Sequence, residues 1–288
     1  MSGFVHQIVS GLAMGFIYAS LALALVMIFK STNHINFAQG EMAMFSTYVA
    51  WFLVQSGLPY WVAFALTLVG SFMIGFATER LIMRRFDRAP VFAIVIVFIG
   101  LLLLFNSLAG WLYGYEMRAF QSPFPSRWGS PVASSHEIGV AGVTLLVFLA
   151  VFLFFRFTSL GLAMRAASQN PISSRLVGIN VGVALATGWG LAAMIGSLAG
   201  IMAAPIVYLD PNMMSGIMIY AFAAALLGGI NSPAGAVPGG LLIGVLENLM
   251  GSYVVGTELK FVVALFFIIM VLLVKPSGLF GSSIQTRV

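Results

Sequence analysis

The sequence contains no cysteine and very little charge. Of its 288 residues only 7% are Asp, Glu, Lys or Arg, whereas soluble domains carry about 25%. The absence of cysteine excludes disulfides, thiolate metal ligands and cysteine nucleophiles. Because these ionic side chains are too few to cover a surface in water, we expect the chain to be solvated mainly by lipid.

Catalytic and nucleotide-binding motifs are also missing. The sequence has no Walker A loop, no His-Glu-x-x-His pair, no Gly-x-Ser-x-Gly elbow and no pair of intramembrane aspartates. We therefore expect no catalytic residue, metal or cofactor, and any transport must be driven by an ion gradient or by an ATPase on another chain. The net charge is +5, but the basic residues are not clustered beside stacking aromatics, so nucleic acid is not an expected partner.

Long apolar runs dominate what is present. Hydrophobic residues make up 61% of the chain, and the mean hydropathy is +1.06. A run of roughly 20 apolar residues is long enough to cross a bilayer as a helix. Such helices are predicted over about Val5–Phe29, Asn36–Gln55, Tyr60–Ala77, Val91–Leu112, Val140–Phe155, Ile179–Ala204 and Leu259–Val274.

The region from 216 to 240 has two interpretations. The apolar pieces Gly216–Leu227 and Val237–Met250 flank the turn-forming stretch Gly228–Gly235, and the first piece is short for a full crossing. These pieces form either two helices or one broken or re-entrant element. The predicted fold class is thus an all-α integral membrane protein, a polytopic bundle of about eight or nine transmembrane helices in a single domain over residues 1–288.

Lysine and arginine are divided unevenly between the two sets of connecting loops. Of the 13 basic residues, one set of loops holds only Arg118, Arg127 and Lys260. The other ten are Lys30, Arg80, Arg84, Arg85, Arg88, Arg156, Arg165, Arg175, Lys275 and Arg287. Cytoplasmic loops carry the basic excess. The N-terminus is therefore predicted outside and the C-terminus in the cytoplasm.

A polar stretch, Asn33–Glu41, precedes and opens the second predicted helix. Asn36 suits the N-cap, with Gln39 as its reciprocal partner in a capping box at the cytoplasmic start of that helix. Polar groups within a membrane are costly unless they pair or line a wet cavity. We therefore predict that Asn36, Gln39 and Glu41 line or brace a translocation path, although capping alone explains the first two.

A second carboxylate, Glu247, lies inside a predicted helix on a face of small residues. That face also carries Ala236, Gly240, Gly244 and Gly251. Small residues let helix backbones approach closely, so Glu247 is predicted to point into protein. Its role is either in the translocation path or its gating, or in an interhelical hydrogen bond that fixes the bundle.

The basic loop from Arg156 to Gly178 contains signals for one short helix. Asn170 suits the N-cap, Pro171 the first helical position and Gly178 the stop. Ile172 and Leu176 lie on one face of this helix, and Arg165 and Arg175 flank it. Such a helix is too short to span a membrane. It predicts either a docking element for a soluble partner or an ordinary interfacial helix.

Three segments together resemble the integral membrane permeases of branched-chain amino acid ABC importers, of the LivH type. They are Ile35–Glu41, Arg165–Val181 and Gly228–Asn248. Each is weakly specific alone, but they occur in the family's order across most of the chain. The family often has His where this chain has Gln39.

The resemblance implies a transport function and a set of partners. The partners are a second homologous permease, two cytoplasmic ATP-binding subunits, a periplasmic substrate-binding protein and membrane lipid. It implies that residues 156–178 couple the permease to the ATPase through Arg165, Asn170, Pro171, Arg175 and Gly178. Relatives also carry urea, amides and aromatic or other carboxylates. The residues alone leave open an ion-gradient-driven transporter or channel that uses Glu41 and Glu247.

Overall fold

The computed structural model describes residues 2–32, 34–86, 89–275 and 277–281. The described backbone forms eleven α-helices. They are α1 (Ser2–Thr32), α2 (Gln39–Gln55), α3 (Tyr60–Leu81), α4 (Val91–Tyr113), α5 (Ser135–Phe157), α6 (Ser159–Gln169), α7 (Pro171–Leu176), α8 (Val181–Val207), α9 (Met213–Gly228), α10 (Pro233–Tyr253) and α11 (Lys260–Val274). Asn33, Arg88 and Arg287, which entered the sequence predictions, lie outside the described residues.

The all-helical prediction is confirmed. The number of long apolar helices is smaller than the eight or nine crossings that the sequence predicted. Among the described residues, six helical stretches are long and apolar enough to cross a membrane: Gly3–Thr32, Tyr60–Phe86, Val91–Tyr113, Ser135–Phe157, Val181–Val207 and Pro233–Tyr253. The apolar helices Met213–Gly228 and Lys260–Val274 are shorter. Helix α2 has 17 residues. These three account for the difference from the predicted number.

Several predicted helix boundaries differ from the structure: α3 continues to Leu81 and α5 begins at Ser135. Helix α2 begins at Gln39 and not at Asn36. Helix α8 does not end before Pro205, but continues through it to Val207. A proline inside a helix removes one backbone donor without forcing the helix to end. The helix ends instead at Tyr208, whose φ of 65° is left-handed.

The basic loop after α5 is more ordered than predicted. The sequence predicted one short helix there, whereas the structure has two, α6 and α7, joined at Asn170. The missed helix α6 is capped by Thr158, whose hydroxyl accepts a hydrogen bond from the Gly161 amide at 3.0 Å. Its strongly amphipathic sequence buries Met164 and Ala167, which explains why a search for uniformly apolar runs missed it.

The region from 216 to 240 forms two separate helices. Helix α9 ends at Gly228, and the φ of Gly229 is +108°. Helix α10 begins at Pro233, where the Ser232 hydroxyl accepts a hydrogen bond from the Gly235 amide at 3.1 Å. A left-handed glycine, an N-cap serine and a proline at the first helical position are together a strong break-and-restart signal.

The chain divides into two compact units. The first comprises Met1–Val26, Ser122–Gly142 and Gly216–Val288, and the second comprises Met27–Gln121 and Val143–Ser215. The two units are described separately below.

In the second unit, α8 is the central helix and packs against α2, α3 and α6. Close approach depends on glycine: a Cβ at Gly190 would lie 2.7 Å from the Phe72 ring, and one at Gly200 would lie 2.8 Å from the Ala43 carbonyl oxygen. The small residues of α8 at these positions therefore form a packing surface.

In the first unit, α10 packs against α1 through glycines of both helices. A Cβ at Gly15 would lie 2.9 Å from the Leu241 Cα, and one at Gly11 would lie 2.9 Å from the Gly244 carbonyl oxygen. The stripe around Glu247 therefore serves the predicted purpose of bringing helix backbones together.

Candidate functional site

The polar cluster before α2 does not form the predicted capping box. The N-cap position is Ala38, which makes no side-chain cap. Asn36 instead accepts a hydrogen bond through Oδ1 from the Ala38 amide at 3.0 Å, closing a local turn. Its Nδ2 lies 3.4 Å from Gln39 Oε1. The two side chains therefore contact each other, but Asn36 lies two residues before the N-cap and the contact is not a capping box.

Gln39 also joins α2 to the middle of α8. Its Nε2 donates a hydrogen bond to the Ala192 carbonyl oxygen at 3.0 Å. Ala192 lies near the centre of the helix Val181–Val207, so α2 begins beside the interior of α8 and not at its end. Gly196 leaves room for the Gln39 amide, since a Cβ there would collide with it. Asn36 and Gln39 are both fully buried.

Glu41 lies in the first turn of α2 and is only 7% exposed. Asn106 of α4 donates from Nδ2 to Glu41 Oε2 at 3.2 Å. The same nitrogen lies 2.9 Å from the Pro211 carbonyl oxygen and 3.4 Å from Asn212 Oδ1. One amide therefore links α2, α4 and the connection between α8 and α9, all within the second unit.

An aromatic wall continues from Glu41 along α2. Tyr48 stacks on Tyr113 at 5.0 Å with the rings 10° from parallel. Arg118 lies over Trp51, 4.5 Å from the ring centroid, and its backbone pairs with Leu209 in both directions at 2.9 Å. These contacts join the ends of α2 and α4 to the segment that follows α8.

Glu247 occupies a different environment, in the first unit. Its Oε1 forms an ion pair with Lys260 Nζ at 3.1 Å, and its Oε2 accepts a hydrogen bond from the Tyr18 hydroxyl at 2.9 Å. Tyr18 stacks on Tyr220 at 5.0 Å, and Tyr220 on Phe261 at 5.5 Å. Both carboxylate oxygens are thus bound by side chains of neighbouring helices. This favours the bundle-fixing interpretation of Glu247.

The candidate coupling helix has the predicted caps. Asn170 Oδ1 accepts a hydrogen bond from the Ser173 amide at 2.9 Å, and Pro171 is the first residue of α7. The helix ends at Leu176, and Gly178 follows with a φ of +85°. Three apolar side chains lie in water-accessible positions: Ile172 is 74%, Leu176 84% and Val177 77% exposed.

The two flanking arginines lie on separate helices, Arg165 on α6 and Arg175 on α7. Both are exposed. The predicted coupling element is therefore a pair of helices that presents two cations and an apolar patch.

Sequence reasoning missed Asn106, Tyr18 and the partnership of Lys260 with Glu247. Asn106 is the one strongly polar residue of the described helix α4, so a lone amide in an apolar run was an available signal. The prediction from the sequence considered only carboxylates and histidines within the helices. The pairing of Lys260 with Glu247 joins residues of α10 and α11, which no spacing rule connects. Within the described residues, no group of three His, Cys, Asp or Glu side chains could hold a metal ion.

Comparisons with known proteins agree over nearly the whole chain. The family described as the permease component of branched-chain amino acid transport systems matches residues 7–274. The high-affinity branched-chain amino acid transport system permease protein LivH of Salmonella typhimurium is 31% identical over 296 residues, covering 96% of each chain. The corresponding protein BraD of Pseudomonas aeruginosa is 31% identical over 298 residues, again covering 96% of each.

A solved structure shares the fold. PsaBC from Streptococcus pneumoniae, in complex with Fab, aligns with a TM-score of 0.51 at 15% sequence identity, covering 93% of this chain and 91% of that chain. At this identity the likeness concerns the fold alone.

Proposed function

This chain belongs to the family of permease components of branched-chain amino acid transport systems, and we propose that it forms the membrane path of an ABC importer for branched-chain or related amino acids. It is a multi-pass membrane protein and not an enzyme. The observation that carries the proposal is similarity to named permeases along 96% of the chain. The same similarity does not favour the ion-gradient transporter or channel.

The proposed assembly contains four kinds of subunit. This chain pairs with a second homologous permease, two cytoplasmic subunits bind and hydrolyse ATP, and a periplasmic protein delivers the solute. The assembly lies in the bacterial inner membrane, with the N-terminus of this chain outside and its C-terminus in the cytoplasm. The excess of basic residues in one set of loops supports this orientation.

The coupling element of this proposal is the pair α6 and α7, within residues 156–178. Three exposed apolar side chains on and beside a six-residue helix are unfavourable in water and fit a groove of a soluble partner. Arg165, Asn170, Pro171, Arg175 and Gly178 shape and flank that surface. ATP-driven movement of the partner then shifts α7 and, through it, α8, with which it is in contact.

The proposed path uses polar groups of each unit separately. In the second unit, Asn36, Gln39 and Glu41 line or brace it, and Asn106 holds Glu41 in place. In the first unit, Glu247 braces the path as the ion-paired centre that joins α1, α10 and α11, and it keeps these partners. Alternating access requires that polar contacts along the path, such as those of Glu41, exchange between two arrangements.

The test is solute uptake by the reconstituted importer. Proteoliposomes that contain all four kinds of subunit are expected to accumulate leucine only when ATP is present on the side of the membrane that carries the ATP-binding subunits. The double variant Ile172→Ser with Leu176→Ser removes the exposed apolar patch and is expected to abolish ATP-driven uptake while leaving the melting temperature unchanged.

Val254→Ser is the matched control, because Val254 is also exposed, at 67%, but lies in the connection between α10 and α11. Uptake by this chain without the ATP-binding subunits, driven by a proton or sodium gradient, would contradict the proposed function. Unchanged uptake in the double variant would contradict the coupling role of α7 alone.

A further inference from the structure

The side-chain amide of Asn106 has fewer hydrogen atoms than there are acceptors around it. Its Nδ2 carries two hydrogen atoms but faces three oxygen acceptors, at 3.2 Å on Glu41, 2.9 Å on Pro211 and 3.4 Å on Asn212. One acceptor is a carboxylate, one a backbone carbonyl and one a side-chain amide oxygen. A primary ammonium group has three hydrogen atoms and a positive charge, so it satisfies all three acceptors.

The charge of Glu41 is the second observation. Glu41 is 7% exposed, and within the described part of the chain it has no ion-pair partner; its hydrogen-bond donor is the neutral Asn106. A buried carboxylate without a cation is costly. The contrast with Glu247, which is paired with Lys260 at 3.1 Å, shows how this fold treats a buried carboxylate whose role is to stay bound.

Among the described residues, Arg118 does not fill this position. It lies over the Trp51 ring, ten residues beyond Glu41 along α2, and donates from Nη2 to the Tyr113 carbonyl oxygen. The site is reachable, because Asn212 is exposed and Asn106 is only half-buried.

We propose that the oxygen atoms of Glu41, Pro211 and Asn212 form a binding site for a primary ammonium group, which Asn106 occupies as an internal substitute in the present conformation. Resting on the proposed function, the group that displaces Asn106 during transport is the α-ammonium group of the amino acid. Glu41 supplies the charge, the Pro211 carbonyl and Asn212 set the direction, and Asn106 is the group that the ammonium displaces. The exchange is one of hydrogen bonds only, so that no proton need be transferred.

Ligand binding to the purified full-length chain in detergent tests the site without relying on transport. The probes are 3-methylbutylamine, which keeps the ammonium and the branched apolar tail of leucine, and 4-methylpentanoate, which keeps the tail and the carboxylate. Wild-type protein is expected to bind the amine and not the acid. Glu41→Gln is expected to weaken amine binding by about tenfold or more, since a hydrogen bond to a charged group is lost.

The remaining variants separate this site from general destabilisation. Asn106→Ala is expected to strengthen amine binding by about tenfold, because the internal competitor is gone; a purely structural amide would give a weaker site or none. Asn212→Ala, at an exposed position that does not threaten folding, is expected to weaken amine binding by about threefold, the loss of one neutral hydrogen bond. Glu116→Gln makes the same chemical change at an exposed carboxylate and is expected to leave binding unchanged.

The outcomes distinguish this inference from the proposed function. Equal affinity for the amine in wild type, Glu41→Gln and Asn212→Ala, or equal binding of amine and acid, would overturn the ammonium site whatever the importer carries. If Glu41→Gln or Asn106→Ala fails to fold, amine binding by Asn106→Ser and by Asn212→Ala is compared with that by wild type instead. Amine binding with the expected variant pattern, together with no ATP-dependent leucine uptake by the assembled importer, would leave the site standing and overturn the proposed cargo.

Discussion

The buried carboxylates Glu41 and Glu247 are alike in exposure at 7% each and unlike in partners. Glu247 is held by a lysine and a tyrosine hydroxyl, whereas Glu41 is held by an amide. Moving a carboxylate out of water costs about several kcal/mol unless opposite charge and hydrogen bonds replace the lost hydration. At the residue scale, Glu247 is therefore a stabilising group, and Glu41 is a group whose stabilisation is incomplete.

The Glu247–Lys260 pair gives the residue-scale prediction. Removing one partner of a fully buried pair costs about 3–5 kcal/mol. Because the Lys260 side chain is 24% exposed, we expect Lys260→Met and Glu247→Gln each to cost about 2–3 kcal/mol. Thermal unfolding in detergent measures the loss.

The double variant Glu247→Gln with Lys260→Met is expected to be more stable than the sum of the single losses predicts, since neither charge is left alone. Coupled residues in contact depart from additivity by about 0.5–3 kcal/mol. Additive losses would contradict the pairing, and Glu116→Gln, at an exposed position, serves as the control in this measurement as well.

At the scale of the element, glycine and alanine decide which helices pack closely. Lipid provides no hydrophobic drive for helix association, so contact area between backbones and buried hydrogen bonds must provide it. Helix α8 meets α2 where Gly196 accommodates the Gln39 amide and Gly200 accommodates Thr47. The small residues therefore also determine that α2 begins deep beside α8.

Gly200→Ala is the element-scale prediction. A Cβ there would collide with the Thr47 hydroxyl and lie 2.8 Å from the Ala43 carbonyl oxygen. Overpacking costs about 1–3 kcal/mol and outweighs the gain of about 1 kcal/mol in helix propensity. We expect a net loss of about 1–2 kcal/mol in thermal unfolding.

Gly100→Ala in α4 is the matched control, because no atom lies within 4 Å of its Cβ position. It is expected to be neutral or stabilising by up to about 1 kcal/mol. Equal effects at Gly200 and Gly100 would show that α8 does not depend on close approach at this point.

At the scale of the whole molecule, the proposed orientation in the membrane rests on the distribution of charge. Ten of the 13 basic residues belong to one set of connections, and translocating such loops is disfavoured. Helices α6 and α7 carry Arg165 and Arg175 of this set, whereas the connection between α4 and α5 carries Arg118 and Arg127.

The molecule-scale prediction uses the absence of cysteine, which leaves no background for thiol labelling. Ser130→Cys lies in the exposed connection between α4 and α5, and Ser173→Cys lies on the exposed face of α7. With a membrane-impermeant maleimide, Ser130→Cys is expected to label in cells with an opened outer membrane, and Ser173→Cys only after the inner membrane is permeabilised. The reverse pattern would invert the proposed topology.

Element type and approximate position were predictable from the sequence, because length and apolarity are local properties that a bilayer enforces. The α7 caps at Asn170 and Pro171 were predictable for a related reason: capping involves residues only a few positions apart. Prediction was wrong at Pro205, where a helix-breaking tendency was overridden, and at Asn36, where the amide closes a turn before the helix and does not cap it.

The sequence by itself determined that this chain is a helical membrane protein, and its three characteristic segments pointed to the permease family that the comparisons confirm. Only the tertiary structure decided what the polar residues do. Lys260 meets Glu247, Gln39 meets Ala192, and Asn106 meets Glu41 and Pro211. Each of these contacts joins different elements of the fold. The free energy of a buried polar group depends on its partner, and in this chain those partners are brought together by helix packing and not by sequence spacing.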